Sequence, residues 1–396
     1  MSKVVLNNRT AMLAGVPIFI AAINMRAGIT VINPLIPILK DQYHLSSFQL
    51  SFLSSLPLLC FAASAFLMPL VGKIGNTNRV IASALTLLTA AMVIRAAGNL
   101  LMLFVSSLAV GIAIAVLNFS LPVWVKEHVS AFSGLLTGIY IAVMGIFASL
   151  SIAVAVPLAH ASRIGWRLSM IPWIIFGFLS AAWWIALNRR EEIVAEFRAP
   201  KNFSRGLLRN LNAWSISIFF GLQSMLYYGT ATWLPTIFVA KGFTLSHAGY
   251  AVSLAGLFGS ILGIMAPHYA SKMGDLRLLL VGDSILIAIS FGALIFDHGW
   301  HLVFWLFVAN IGMAISFPVA LLLTVLRSVD ASETRSLSIM TQSIGYLMAA
   351  CAPGIVGAVF DASKDWNIAL WIPVAMGLAL TGVGLIAGRP GKIILE

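Results

Sequence analysis

The chain has 396 residues, of which 60% are hydrophobic and only 9% are charged, and its mean hydropathy is +0.99. Soluble domains carry about 25% charged residues, so this composition excludes a soluble globule. The net charge of +11 would favour a nucleic-acid partner in a soluble protein. In a membrane protein basic loops explain it, and no nucleic-acid partner is expected.

Apolar runs of about 20 residues, the length that crosses a bilayer core, predict a polytopic α-helical membrane protein. Twelve spans are predicted, and they cover residues 12–39, 49–73, 80–98, 100–125, 133–157, 168–187, 212–239, 246–271, 277–296, 300–326, 335–360 and 367–387. Short strands of alternating hydrophobicity, which are typical of outer-membrane barrels, are not seen. The predicted fold class is therefore all-α, with both termini on one side of the membrane.

The distribution of basic residues predicts the orientation. With the N-terminus inside, the cytoplasmic segments carry seventeen Lys and Arg residues, whereas the outer segments carry five. The positive-inside rule then places both termini in the cytoplasm. No cleavable signal is predicted, because a polar stretch, Met1 to Thr10, precedes a full-length span.

The longest polar stretch, residues 188–211, carries six basic and three acidic residues and divides the spans into two sets of six. This pattern is typical of two parallel repeats with a substrate site near the bilayer midplane between them. We therefore predict an N-terminal six-helix bundle over residues 1–187, a cytoplasmic linker over 188–211 and a C-terminal six-helix bundle over 212–396. A pseudo-two-fold axis would relate the two bundles.

Two arginines lie inside predicted spans. Arg26 sits in the middle of the first span, and Arg95 lies in the third at a similar depth. A guanidinium in hydrocarbon costs roughly 3 kcal/mol on insertion scales, so it must face protein or a watery cavity. We interpret Arg26 as a substrate-binding or gating residue, with a hydrogen bond to helix-end carbonyls as the structural alternative. Arg95 either joins it or snorkels towards the outer headgroups.

Acidic residues are nearly absent from the spans. Of the 13, only Asp283 falls inside one, about two turns from the inner end of the ninth, and the seven histidines map to loops or helix ends. A proton antiporter for cations normally needs a carboxylate at depth, so that function is disfavoured. The positive charge favours an anionic or strongly dipolar, electron-rich substrate instead.

Neutral polar and aromatic side chains at helical spacing could shape a cavity around the arginines. The candidates for substrate binding, besides Arg26 and Arg95, are Asn24, Asn118, Tyr140, Gln223, Tyr227, Tyr228, Gln342 and Tyr346. Residues near the outer ends of the first and seventh spans are candidates for a gate, and they are Asn33, Pro34, Trp233 and Pro235. Each polar residue alone is also typical of interhelical hydrogen bonding.

Signals for metal, nucleotide or cofactor binding are missing from the sequence. The cysteines, Cys60 and Cys351, fall inside apolar spans away from any His cluster and are interpreted as packing residues. No glycine-rich phosphate loop followed by Lys and Ser or Thr is present, which disfavours transport driven by ATP. No cofactor is predicted.

Several of these stretches together resemble the cyanate-transporter and 2-nitroimidazole-exporter branch of the major facilitator superfamily. The resemblance rests on NMRAGITVINPLIP at 24–37, the arginine of the third span, QSMLYYGTATWLP at 223–235 and TQSIGYLMAACAP at 341–353. It implies two six-helix bundles, alternating access without chemical conversion, small anionic or nitro-bearing solutes, and a bacterial cytoplasmic membrane. The superfamily's loop motif between the second and third spans is degenerate here, since GKIGNTNR lacks the aspartate.

Three functions are weighed on this basis. The leading hypothesis is a secondary transporter of a small anion or polar, electron-rich molecule held by Arg26, with protons or a counter-anion as coupling partners. The alternative is a broad-range exporter of drugs or toxic compounds, favoured by the aromatic content and 15 methionines. A non-transporting sensor, scaffold or intramembrane enzyme is the remote alternative, because no nucleophile with a base and no large soluble domain is present.

Overall fold

The computed structural model of the chain describes residues 8–64, 71, 74–128, 133–190 and 205–393. These residues form fourteen α-helices, which are α1 (Asn8–Thr30), α2 (Ile36–Tyr43), α3 (Ser47–Ala62), α4 (Thr77–Ala97), α5 (Leu100–His128), α6 (Ser133–Ala161), α7 (Ile171–Arg190), α8 (Leu211–Ala240), α9 (Leu245–Ala270), α10 (Arg277–Phe296), α11 (His301–Leu326), α12 (Ala331–Ser363), α13 (Trp366–Ala369) and α14 (Trp371–Ala387). Short 3₁₀ segments at Asn33–Leu35, Gly165–Met170 and Arg205–Arg209 precede α2, α7 and α8.

The helices reproduce the predicted spans. Over the described residues, ten helical segments are long and apolar enough to cross a membrane. The other two predicted spans correspond to α3, which has 16 residues, and α8, which has 30. The remainder of the span predicted at 49–73 lies largely outside the described residues. The all-α fold with twelve spans is therefore confirmed.

The first span, predicted as one helix over 12–39, is interrupted. Helix α1 ends at Thr30, and a 3₁₀ turn leads into α2. Pro34 has no N–H to donate, and its ring would clash with the carbonyl of Thr30 four residues earlier. Pro37 removes a second donor within the same turn. A lone proline inside α8, Pro235, does not break that helix.

Equivalent helices pack in equivalent ways in the two halves. In the N-terminal half α1 packs on α6 and α7, α4 on α5 and α7, and α3 on α5. In the C-terminal half α8 packs on α12 and α14, α10 on α11 and α14, and α9 on α11. Each pair in the first half has its counterpart six spans later, which is the pseudo-two-fold relation expected of two six-helix bundles. The predicted linker, 188–211, lies mostly outside the described residues, so its boundaries stay a prediction.

Two helix pairs hold the halves together, α3 with α12 and α6 with α9. Small residues allow their close approach, as in the α6–α9 seam, where Ser253 donates a hydrogen bond to the carbonyl of Ser149. In the α3–α12 seam the Ser51 and Ser55 hydroxyls donate to the carbonyls of Pro353, at 2.9 Å, and Ala350, at 2.6 Å. Close packing and interhelical hydrogen bonds replace the hydrophobic effect as the glue between helices inside a bilayer.

Hydrogen bonds between the halves are found on one side of the bundle, among the described residues. We call the end where α1 begins and α14 ends the terminal end, and the end where α2 meets α3 the distal end. The serine bonds of both seams lie between the midplane and the distal end. At the distal end itself, the Ser47 hydroxyl of α3 donates to Asp361 of α12 at 2.7 Å. Contacts between the halves therefore close the distal side.

Candidate functional site

Arg26 lies near the middle of the bundle, four residues before α1 ends. Its side chain is only partly buried, and its Nη1 donates a hydrogen bond to the Tyr228 hydroxyl of α8 at 2.5 Å. This bond crosses from the N-terminal to the C-terminal half. The ion pairs that the described residues form all lie elsewhere, in the loops and at the helix ends. Arg26 therefore carries a positive charge that no carboxylate of the described residues balances in an ion pair.

Aromatic rings surround the guanidinium. Its central carbon lies 5.8 Å from the ring centroids of Tyr227 and Tyr228 and 5.9 Å from that of Phe317 on α11. Cation–π attraction at such distances contributes about 0.5–2 kcal/mol, depending on exposure. The electron-rich faces of the rings stabilise the cation without neutralising it, so its charge remains available to an anion.

A second layer of rings closes around the first. Tyr346 of α12 lies 6.5 Å from Tyr228, and Phe220 of α8 lies 5.3 Å from Tyr346 and 5.7 Å from Phe317, between ring centroids. Phe61 of α3 meets Tyr346 edge-on at 5.2 Å. We call the set of Tyr227, Tyr228, Phe317, Tyr346, Phe220 and Phe61 the aromatic cage. It joins both halves of the protein around Arg26.

The sequence of α8 explains how one helix supplies two walls of the cage. Consecutive residues on a helix are about 100° apart, so Tyr227 and Tyr228 approach the guanidinium from different directions. Their rings meet edge-to-face at 5.0 Å, a favoured geometry for aromatic pairs. Tyr228 is buried and gives both its ring and its hydroxyl to Arg26, whereas Tyr227 is partly exposed.

Two predicted amide side chains carry buried atoms without partners. Gln223 lies one turn before Tyr227; its Nε2 donates to Ser224 at 2.7 Å, while its Oε1 has no hydrogen bond. The Nδ2 of Asn24 is likewise unpaired, although Asn24 lies about 200° around α1 from Arg26. An unpaired buried polar group costs about 1–3 kcal/mol, so each atom would gain from a water or a solute.

Three of the predicted site residues lie apart from the contacts of Arg26. Asn118 on α5 and Gln342 on α12 are partly exposed, and Tyr140 on α6 is buried. Among the hydrogen bonds and ring contacts of the described residues, none joins these three to Arg26. The structure brings Arg26, Tyr227, Tyr228 and Tyr346 together and leaves the three outside that contact set.

Arg95 does not share the site with Arg26. It is 2% exposed, and its guanidinium donates to the Gly28 carbonyl at 2.6 Å, to Ser107 at 3.0 Å and to Ser106 at 3.3 Å. These acceptors tie α4 to α1 and α5 within the N-terminal half. Snorkelling to the headgroups is excluded by the same burial. Equal depth in the membrane did not imply a common cavity.

The predicted gate residues lie at the distal side of the site. Asn33, Pro34, Trp233 and Pro235 are all buried, and the Asn33–Leu35 turn packs against α8. The Trp233 indole donates to the Pro353 carbonyl at 2.9 Å, the same oxygen that accepts from Ser51. A Cβ on Gly357 would approach the Trp233 ring to 3.0 Å. Trp233 is thus packed into the closed α3–α12 seam rather than anchored at the membrane surface.

Sequence reasoning missed three cage residues, Phe61, Phe220 and Phe317, because phenylalanines in apolar spans resemble lipid-facing ones. The Phe-Pro step at 317–318 was a usable signal, since it stands in the position of the Leu-Pro step at 121–122 of the other half. The serines of α3 were missed too. Ser47, Ser51 and Ser55 recur every four residues, which places them on one helix face.

The chemistry of the site is that of a binding pocket. A partly exposed cation and tyrosine hydroxyls can hold an anionic or dipolar solute, and flat rings can stack on it. Within the described residues, no three His, Cys, Asp or Glu side chains lie close enough together to hold a metal.

Comparison with known proteins identifies the class. The chain belongs to the Major Facilitator Superfamily, whose signature it matches over residues 18–353. Proteins of this family are transporters, not enzymes, and they span the membrane several times. The chain is therefore a multi-pass membrane transporter of small solutes, as the sequence predicted.

Three relatives cover nearly the full length. An uncharacterised transporter of Bacillus subtilis, YycB, is 31% identical over 94% of this chain and 92% of its own. The 2-nitroimidazole transporter of Escherichia coli is 30% identical over 98% and 97%, respectively. The cyanate transport protein CynX of Escherichia coli is 24% identical over 87% and 89%. These relatives confirm the resemblance to the cyanate and 2-nitroimidazole branch.

Solved structures agree on the fold. A bacterial homologue of the human lysosomal transporter Spinster superposes with a TM-score of 0.76 at 14% identity, covering 97% of this chain and 98% of that one. A D-xylose–proton symporter superposes with a TM-score of 0.75, also at 14% identity, covering 96% and 97%. At this identity the likeness shows the architecture alone.

Proposed function

We propose that the protein transports a small anionic or strongly dipolar, electron-rich solute and that Arg26 is the group that binds it. The observation that carries the proposal is the partly exposed Arg26 guanidinium, which has a tyrosine hydroxyl and aromatic faces around it but no carboxylate. A cation so placed in a membrane is costly unless a counter-charge arrives. A solute anion supplies that charge.

The planar guanidinium favours solutes with two oxygens or a flat dipole. It donates parallel hydrogen bonds to a carboxylate or nitro group, whereas an ammonium offers a point charge only. The aromatic cage adds flat faces on which a planar solute can stack. The relatives are named for cyanate, a small anion, and for 2-nitroimidazole, a flat molecule whose nitro group has two oxygens.

Transport would proceed by alternating access of the two halves. The predicted bundles, 1–187 and 212–396, would rock around the site, with the 188–211 linker on the cytoplasmic side. The seams close the distal side, so Arg26 would be reached from the terminal end in the present conformation. The seventeen basic residues assigned to the terminal side favour placing that end in the cytoplasm of a bacterial inner membrane.

Flux into proteoliposomes tests the proposal. Wild-type protein and the variants Arg26→Ala and Arg26→Lys would be assayed with cyanate, benzoate and 2-nitroimidazole as separate probes. We expect Arg26→Ala to lose anion flux at least tenfold. Arg26→Lys, which keeps the charge but not the planar fork, should lose less for cyanate than for benzoate. Arg163→Ala, an exposed loop arginine, is the matched control and should transport like wild type. Wild-type flux of every probe by both Arg26 variants would refute the anion site.

The broad-range exporter remains a second candidate, and the six-ring aromatic cage favours it. Such a site would hold flat, neutral compounds mainly by stacking, and each ring contact is worth about 0.5–1.5 kcal/mol. Under this alternative Arg26→Ala keeps the flux of neutral 2-nitroimidazole, whereas Tyr346→Ala lowers it. Loss of both anion and neutral flux with Arg26→Ala supports one site for both kinds of solute.

A further inference from the structure

One ionisable side chain inside the spans takes no part in the site described above. Asp283 lies on α10, six residues after that helix begins at Arg277, which is about 9 Å along its axis. The residue is 5% exposed and faces the seam between α10 and α11. A carboxylate without a partner at such depth is expensive, and intramembrane acids commonly mark proton pathways.

Serine hydroxyls hold the Asp283 carboxyl in the seam. The Ser316 hydroxyl of α11 donates to Asp283 Oδ2 at 2.5 Å. Asp283 Oδ1 lies 3.4 Å from the Ser284 hydroxyl, whose only proton is already donated to the Leu280 carbonyl at 2.5 Å. A hydroxyl carries one proton and otherwise accepts. At 3.4 Å the contact with Ser284 is weak, so the Ser316 hydroxyl is the closer partner of the Asp283 carboxyl.

The helices packed against α10 supply no cation that could balance an ionised Asp283. Helix α10 packs against α11 and α14. Helix α14 contains no charged or titratable residue, and α11 contains only His301, at its distal end. On α10 itself the other charged residue is Arg277, whose guanidinium pairs with Asp275 at 2.6 Å. No cation among these elements faces Asp283, so losing the proton leaves a buried carboxylate whose charge none of them balances.

Helix α11 contributes residues both to the seam around Asp283 and to the aromatic cage. Ser316, which holds Asp283, directly precedes Phe317, whose ring covers the Arg26 guanidinium. The two helices touch closely beside Asp283, since a Cβ on Gly312 of α11 would lie 2.9 Å from the Asp283 carbonyl oxygen. The hydrogen bond to Asp283 and one wall of the solute site therefore lie on the same turn of α11.

We propose that Asp283 is the proton-binding residue of the transport cycle, taking up one proton with each solute anion and releasing it on the other side of the membrane. The inference rests on the proposed function, because an anion carrier needs such a partner. Moving a monovalent anion inward against 100 mV, inside negative, is about 50-fold unfavourable at equilibrium. Adding one proton makes the transported pair neutral and removes that opposition.

The test uses full-length protein in liposomes with a trapped pH indicator and cyanate or benzoate as the probe, whichever the wild type transports. For neutral one-to-one co-transport, a gradient of one pH unit drives about tenfold accumulation. We expect wild type to approach that ratio and to move protons with the solute. Asp283→Asn, which keeps the shape and the hydrogen bonds but cannot ionise, should lose the accumulation yet retain exchange of labelled for unlabelled solute within twofold. Asp275→Asn is the matched control and should accumulate solute like wild type.

The outcomes separate this inference from the proposed function. If wild-type protein moves solute with no accompanying proton flux, Asp283 is not a coupling residue, while the role of Arg26 stands. Accumulation by Asp283→Asn equal to wild type also overturns the inference. So does a folded Asp283→Asn variant that fails in exchange, since a coupling residue is not required for exchange. Should that variant not fold, Asp283→Ser takes its place, and accumulation by it equal to wild type overturns the inference.

Discussion

Replacing Gly145 by alanine should push α6 and α9 apart near the middle of their seam. Gly145 lies on α6 in the seam with α9, and a Cβ there would come within 2.7 Å of the Ser260 Cβ. Rotating the Ser260 side chain does not relieve this clash, because its Cβ is fixed by the backbone. Ordinary carbon–carbon contacts are about 3.5–4.0 Å, so the two helices must separate by about 1 Å.

The size of the effect follows from the cost of overpacking. Inserting one methyl group into a tight seam costs typically 1–3 kcal/mol. The cost falls on the present conformation, in which α6 and α9 meet at this point, so it disfavours that packing by roughly 5- to 150-fold. Gly138→Ala is the matched control on the same helix, because no atom lies within 4 Å of its Cβ position. Both variants share the gain in helix propensity.

Distances between spin labels measure how far the two helices move apart. Labels at Ser162→Cys and His247→Cys, two exposed residues near the distal ends of α6 and α9, would report seam opening once the native Cys60 and Cys351 are replaced by alanine. We expect Gly145→Ala to populate longer distances than Gly138→Ala or the parent protein. Identical distance distributions for the two glycine variants would refute the reasoning.

Three further predictions concern single side chains. Tyr228→Phe removes the hydroxyl that accepts a hydrogen bond from Arg26, and a hydrogen bond to a charged group is worth about 1.5–3 kcal/mol. The Tyr228→Phe protein should therefore melt at a lower temperature in detergent than the Tyr227→Phe protein. Equal melting temperatures would contradict a stabilising role for this bond. Arg95→Lys should lower the melting temperature but leave the KM for the solute unchanged, because Arg95 joins helices by hydrogen bonds away from the site. A raised KM would show that Arg95 contributes to solute binding. Hydrogen bonds from Arg277 lower the pKa of Asp275 to about 2. The stability that this ion pair adds to the folded protein is therefore complete above about pH 4 and is lost only as the pH falls towards 2. Asp275→Asn should leave the pH profile of transport between pH 5 and 8 unchanged, and a shifted profile would contradict this.

The number and length of the spans could be predicted because bilayer thickness sets them directly. The interruption of the first span could not be predicted from one proline. Pro34 and Pro37 together remove two donors in one turn and end α1, whereas Pro235 alone leaves α8 intact. Whether a proline breaks a helix depends on how many backbone hydrogen bonds are lost in that turn and on how the neighbouring helices pack against it.

The candidate site was predictable in part for a similar reason. Span position gives the depth of a residue, so Arg26 and Arg95 could be predicted to lie at a similar depth. Depth does not give direction around the helix axis, and Arg95 at the same depth points into its own half. Phe317 was hidden because an apolar ring in an apolar span has no sequence signal for the face it occupies.

The central claim, that Arg26 binds the solute, is tested most directly by locating a bound anion. Crystals grown with 4-bromobenzoate would give an anomalous bromine signal, provided the benzoate series is transported. We predict a peak inside the aromatic cage, with the carboxylate oxygens about 2.7–3.2 Å from the Arg26 guanidinium nitrogens. A fully occupied bromobenzoate elsewhere in the protein, with Arg26 still bonded only to Tyr228, would contradict the account.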